Sequence, residues 1–128
     1  MSYYFSKKFK RSFEEIYDRT LESLKKQGFG VLTEIDVQAT LKKKLNVDFR
    51  KYRILGACNP PFAYKALQAE DKIGTMLPCN VIIQELGEGE VEVAAIDPIA
   101  SMQAVQNESL MPIALQIQEK MRNVVEHV

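Results

Sequence analysis

Gly56-Ala57-Cys58-Asn59-Pro60-Pro61-Phe62-Ala63-Tyr64-Lys65-Ala66-Leu67 joins the end of an apolar strand to the start of a helix. Asn59 is a strong cap residue, and Pro60 suits the first helical position because the N–H it lacks has no intrahelical partner there. Phe62, Ala63, Ala66 and Leu67 then follow at helical spacing, so the segment reads as a sharp strand-to-helix transition. It carries Cys58, one of the chain's two cysteines; the other follows a proline, at Leu77-Pro78-Cys79.

Upstream, Tyr3, Phe5 and Phe9 alternate with Tyr4, Ser6 and Lys8, the period of a half-buried first strand. Ser12 and Glu15 have the spacing of a capping box, and Phe13, Ile16, Tyr17, Thr20, Leu21 and Leu24 recur on one helical stripe that Gly28 ends. Phe29, Val31, Thr33 and Ile35 alternate as a second strand ending near Asp36. Asp36 then caps a short helix from Val37 to about Leu45, with Leu41 and Leu45 inward and Lys42, Lys43 and Lys44 outward. The stretch from Val47 to Ala57 holds the third strand, with Tyr52, Ile54 and Gly56 on one face.

Downstream, a helical excursion through residues 60 to 77 leads to a fourth strand from Pro78 to Leu86, built on Val81-Ile82-Ile83. Gly87-Glu88-Gly89 is a hairpin turn into Val91, Val93, Ala95 and Ile96, so the fourth and fifth strands are antiparallel neighbours. Asp97-Pro98 repeats the cap signature for a short helix towards Val105. Leu110, Ile113, Ala114, Ile117, Met121, Val124, Val125 and Val128 form the stripe of a closing helix with Ser109 as its cap and Pro112 in its first turn. The order predicts an α+β fold: a single-layer, mostly antiparallel five-stranded sheet with helices packed on one face, in one domain spanning residues 1–128.

Hydrophobic residues make up 46% of the 128, enough for a core without disulfide or metal staples. Lys plus Arg number 17 and Asp plus Glu number 17, so no global field draws nucleic acid or an anionic membrane to the surface. The only local basic cluster, Lys42 to Lys44 with Arg50, Lys51 and Arg53, reads as a solvated face. The first residues hold no apolar run suited to a signal peptide, and no segment approaches the ~18 apolar residues of a membrane helix. The expected compartment is cytoplasmic, where both cysteines stay reduced.

If the third and fourth strands are antiparallel neighbours, Cys58 and Cys79 share one end of the sheet, and the fifth strand returns Asp97 to that end. The candidate ligand-binding residues are therefore Cys58, Asn59, Pro78, Cys79 and Asp97. Free amides at the helix start after Asn59 would favour an anion or a thiolate beside Cys58. The function read from this is a small-molecule or anion binding or sensing module rather than an enzyme, with no cofactor implied. One alternative is a thiol redox protein in which Cys58 attacks and Cys79 resolves; another is a soft-metal site, zinc with Cys58, Cys79 and Asp97. In the purely structural alternative both thiols fill core space and Asn59 and Asp97 only cap helices. His127, the single histidine, has no partner at a catalytic or metal-ligand spacing. A homodimer through the closing helix or the edge of the first strand is a further expectation.

The combination of Gly56-Ala57-Cys58-Asn59-Pro60, Ala63, Ala66 and Leu67, Ile73-Gly74-Thr75-Met76-Leu77-Pro78-Cys79 and Ile96-Asp97-Pro98 resembles the family called domain of unknown function 302, over essentially the whole chain. The resemblance implies a small bacterial or archaeal α+β domain with a strand-helix-four-strand-helix plan, similar to a half-domain of the TATA-box-binding protein. It implies no activity and supplies no catalytic residues.

Overall fold

The computed structural model describes residues 2–128. Its first helix, α1 (Phe13–Lys26), starts where Ser12 Oγ accepts the Glu15 N–H at 3.1 Å, which satisfies one of the amides a helix start leaves unpaired. The capping box closes on that side only, because the Glu15 carboxylate turns outward to Arg11 and Arg19, at 3.8 and 3.2 Å. Acids in the first turn and Lys25 and Lys26 in the last complement the helix dipole. At the far end Gly28, with φ +84°, takes the left-handed turn that its missing Cβ permits.

The strands are β1 (Tyr4–Phe9), β2 (Gly30–Asp36), β3 (Tyr52–Cys58), β4 (Cys79–Gly87) and β5 (Glu90–Ile96). They form one antiparallel sheet in the order β1-β5-β4-β3-β2, with β4 in the middle. On one face Leu55, Ala57, Val81, Ile83, Val91, Val93 and Ala95 are buried beneath α1 and the closing helix α5 (Met111–Glu126). Ile16 and Leu24 of α1 and Met121 and Val124 of α5 are fully buried against them. Each such side chain contributes about 1.5–3 kcal/mol relative to exposure. The helices are also tied by a buried bond from Ser23 Oγ to the Val124 carbonyl, 2.6 Å. The expected α+β plan, an antiparallel five-stranded sheet with helices over one face, is the one observed.

Some details depart from the alternation read in the sequence. A bulge falls between Val31 and Thr33 of β2. Phe29 and Val31 pack on the core, whereas Thr33 and Ile35 switch to the open face of the sheet, because one inserted residue reverses the parity of every residue after it. Leu32, at the bulge, is 66% exposed. The short helix α2 (Val37–Leu45) is capped by Asp36 as expected but buries no residue, and Leu45 points to solvent. The closing helix is preceded by a 3₁₀ turn, Glu108–Leu110, whose cap is Asn107 instead of Ser109. Most of its apolar stripe packs into the chain's own core.

Three residues of the basic cluster form separate ion pairs, Lys42 with Asp48, Lys51 with Glu14, and Arg53 with both Glu34 and Asp36, while Arg50 donates to Gln84. No helix among the described residues is long and apolar enough to cross a membrane.

Candidate functional site

Strand order brings the ends of three strands together. Cys58 is in register with Gly30, and Ala57 with Cys79, so both cysteines stand at the same end of the sheet, as the antiparallel reading requires. From there α3 (Pro60–Ala69) runs out, a 3₁₀ turn (Ile73–Met76) reverses the chain, and Leu77-Pro78 returns it to β4 through a cis peptide bond.

Between α3, this turn, α5 and the sheet end lies a cavity of about 300 Å³. Its walls include Phe29, Phe62, Leu67, Leu77, Met102 and Ile117. The space exists because small residues, Ala63, Ala66, Gly74 and Ala114, stand where larger ones would meet across it. A Cβ added at Gly74 would touch only the Leu67 side chain, at 3.9 Å. Cys58, Asn59, Pro78 and Cys79 all line the cavity.

Asp97 does not line it. The Asp97 carboxylate accepts from the Ile99 N–H at 3.0 Å, capping α4 (Pro98–Ser101), and from Gln118 Nε2 at 3.1 and 3.3 Å. Its polar capacity is spent on holding α4 against α5.

The helix start beside Cys58 is not the anion site expected of it. Pro60 and Pro61 have no N–H to offer, and the next two amides, of Phe62 and Ala63, donate to the Asn59 carbonyl at 3.1 and 2.9 Å. Within the first turn of α3 no amide is left to face an anion or a thiolate. Nor does the Asn59 side chain cap α3; it is buried, and its Nδ2 donates to the Gln27 carbonyl at 3.2 Å, locking the end of α1 to the start of α3.

The two thiols are free and both half-buried. Desolvation, with a smaller contribution from the neighbouring Cys58, pushes the Cys79 thiol up to about 11, so it stays protonated at neutral pH and packs as an apolar group against the core. Among the described residues no group of three or more His, Cys, Asp or Glu side chains is placed to hold a metal ion.

Pro78 is fixed by a close approach to β3. A Cβ at Gly56 would lie 2.2 Å from Thr33 Oγ1 and 2.8 Å from Pro78 Cγ, so only glycine leaves room for both. The sequence marked Cys58, Asn59, Pro78 and Cys79 but missed the apolar wall, since Phe29, Met102 and Ile117 come from elements distant in the chain. Ala63 and Ala66, three residues apart on α3, were the available signal for a recess.

Among curated proteins none matches the chain. A solved structure, the crystal structure of an uncharacterized conserved protein DUF302 from Bacillus stearothermophilus, superposes with a TM-score of 0.90 at 26% identity, covering 99% of this chain and 98% of that one. The profile of the family described as domain of unknown function DUF302 matches residues 5–128. With the fold and nearly the full length in agreement, this chain belongs to the DUF302 family.

Proposed function

We propose that this domain is a binding module for a small, mainly apolar molecule held in the cavity at the Cys58 end of the sheet. The observation that carries the reading is the cavity itself: about 300 Å³ walled by hydrocarbon and sulfur, at the lower end of the range of small-molecule sites. With a water's share of liquid volume at about 30 Å³, the space suits a molecule of roughly ten non-hydrogen atoms. The two prolines at the start of α3 favour an apolar ligand over the anion, because they remove the donors an anion needs. The redox alternative has less support: a resolving thiol must ionise to attack, and Cys79 is held protonated. A zinc site has less still, with Asp97 turned to Gln118.

The test is thermal unfolding, followed by circular dichroism, in the presence of medium-chain alcohols and small aromatic hydrocarbons. A ligand at 100 times its Kd stabilises by about 2.7 kcal/mol, which for a chain of this size raises Tm by roughly 8–15 °C. Filling the recess with Ala63→Phe abolishes the shift. If no compound raises Tm, or if the rise survives in Ala63→Phe, the cavity is not a binding site.

A further inference from the structure

The face of the sheet turned away from α1 and α5 carries a straight apolar row. Ile35, Ile54, Ile82 and Ala94 are register partners across β2, β3, β4 and β5, and Ser6 of β1 completes the line. Alternation puts all of them on the uncovered face, opposite to Leu55, Val81 and Ala95. Ile35 is 47% exposed, and Ile54 and Ile82 are half-buried.

The row is graded in size. Ile35 and Ile54 make a ridge on one side of the central strand, while Ala94 and Ser6 leave low ground on the other. That low ground belongs to a recess of about 370 Å³ bounded by Tyr4, Ile82, Ala94 and Ile96 and, on its polar side, by Asn80, Gln84 and Glu92. Beside it Lys8 is in register with Glu92, Glu92 accepts from Gln84 Nε2 at 2.8 Å, and Arg50, stacked on Tyr52, donates from Nε to Gln84 Oε1 at 2.9 Å. These charges are few and of both signs, so the face builds no strong field for a polyanion.

We propose that this face is the interface of a homodimer, formed by stacking the open sheets of two copies about a two-fold axis over Ile82. The axis sets the Ile54 ridge of each copy over the Ala94 recess of the other, the self-complementarity an isologous contact requires. The available area is sufficient. Five strands about 4.8 Å apart, each contributing about 22 Å of length, present roughly 500 Å² of sheet per copy, before side chains enlarge it. Two copies together reach the ~1,000 Å² at which specific interfaces begin. The sheets would lie about 10 Å apart, with their strands offset by about 30°. This inference is independent of the cavity at the Cys58 end.

Sedimentation equilibrium of the full chain, from low micromolar to near-millimolar concentration, tests it. The expected mass is twice that of the 14.6 kDa chain. Ile82→Lys places two like charges at the axis, and the dimer weakens by about 100-fold or more. Ile35→Glu, at a more exposed position, serves as a second variant if Ile82→Lys unfolds; far-ultraviolet circular dichroism checks the fold of each. A wild-type chain that stays at the monomer mass throughout the range overturns the proposal. So does a dimer that persists in a folded Ile82→Lys or Ile35→Glu variant.

Discussion

Gly56→Ala is the substitution whose effect the structure fixes most closely. The new methyl carbon would sit 2.2 Å from Thr33 Oγ1 and 2.8 Å from Pro78 Cγ, where unstrained neighbours stand about 3.5–4 Å apart. Thr33 is held in β2 opposite Gly56, and Pro78 leads directly into β4, so neither side can yield without moving a strand. Overpacking of this kind costs about 1–3 kcal/mol. Gly56 does not occupy the left-handed region, so the alanine also restricts the unfolded chain and recovers about 0.4–1 kcal/mol. The net loss is about 1–2 kcal/mol, read as a lower urea midpoint at unchanged slope and a Tm lower by roughly 3–10 °C. Thr33→Ala removes the nearer contact. The double variant should therefore lose less than the sum of the singles by about 0.5–1 kcal/mol, the sign of a direct contact. A Gly56→Ala protein as stable as the wild type, with the same slope, would refute the close-approach argument and with it the placement of Pro78 at the cavity.

Cys79 makes stability depend on alkali. Its thiol is pushed up from the ordinary 9.0 to about 11 when folded, so between these values the folded chain binds more protons and stability falls as pH rises; the difference between wild type and Cys79→Ala should narrow over that window by up to about 2–3 kcal/mol, measured by urea unfolding at each pH. Parallel curves for the two proteins would show that burial does not shift the thiol. Asn59→Ala strips the Gln27 carbonyl of its Nδ2 partner and should cost about 1–2 kcal/mol in the same assay, while Asn59→Asp, which puts a carboxylate against that carbonyl, should cost at least as much. Cys58→Ser should leave the ligand-induced Tm rise largely intact, since the apolar wall and not the thiol supplies the affinity; loss of the rise in a folded Cys58→Ser protein would transfer the site to thiol chemistry.

The fold was largely legible because its parts repeat simple periods. Ser12, the stripe from Phe13 to Leu24 and the hairpin glycines are local signals, and the β4–β5 pairing follows from the tight turn between them. What escaped the sequence was whatever depended on a break in period or on the identity of a neighbour. The bulge between Val31 and Thr33 leaves no mark on an alternating run of apolar residues, yet it moves Ile35 from the core to the open face. Leu45 matches a helical stripe, but α2 has nothing packed over that side, so the residue stays in water. Serine before a helix is a sound cap in general; here Asn107 pre-empts Ser109 by opening a 3₁₀ turn first.

The site was half legible, and the missing half changes its chemistry. Convergence of Cys58 and Cys79 followed from strand order, but the inference from a helix start to an anion site overlooked a fact written in the sequence: two successive prolines cannot donate. Proline suits the first turn of a helix because it removes an unpaired N–H, and for the same reason a helix that begins Pro-Pro offers an anion nothing in that turn. With no donor in the first turn of α3 and the Cys79 thiol held neutral, the proposed recognition rests on shape. That shape is made by missing volume at Ala63, Ala66, Gly74 and Ala114. Alanine and glycine at those positions give no periodic signal of their own, since alanine is also an ordinary helix former. Only the packing of α3, the 3₁₀ turn and α5 against the sheet end turns their smallness into a cavity. If the proposed binding is right, substitutions that change side-chain volume around that wall should alter it more than replacement of the cysteines does.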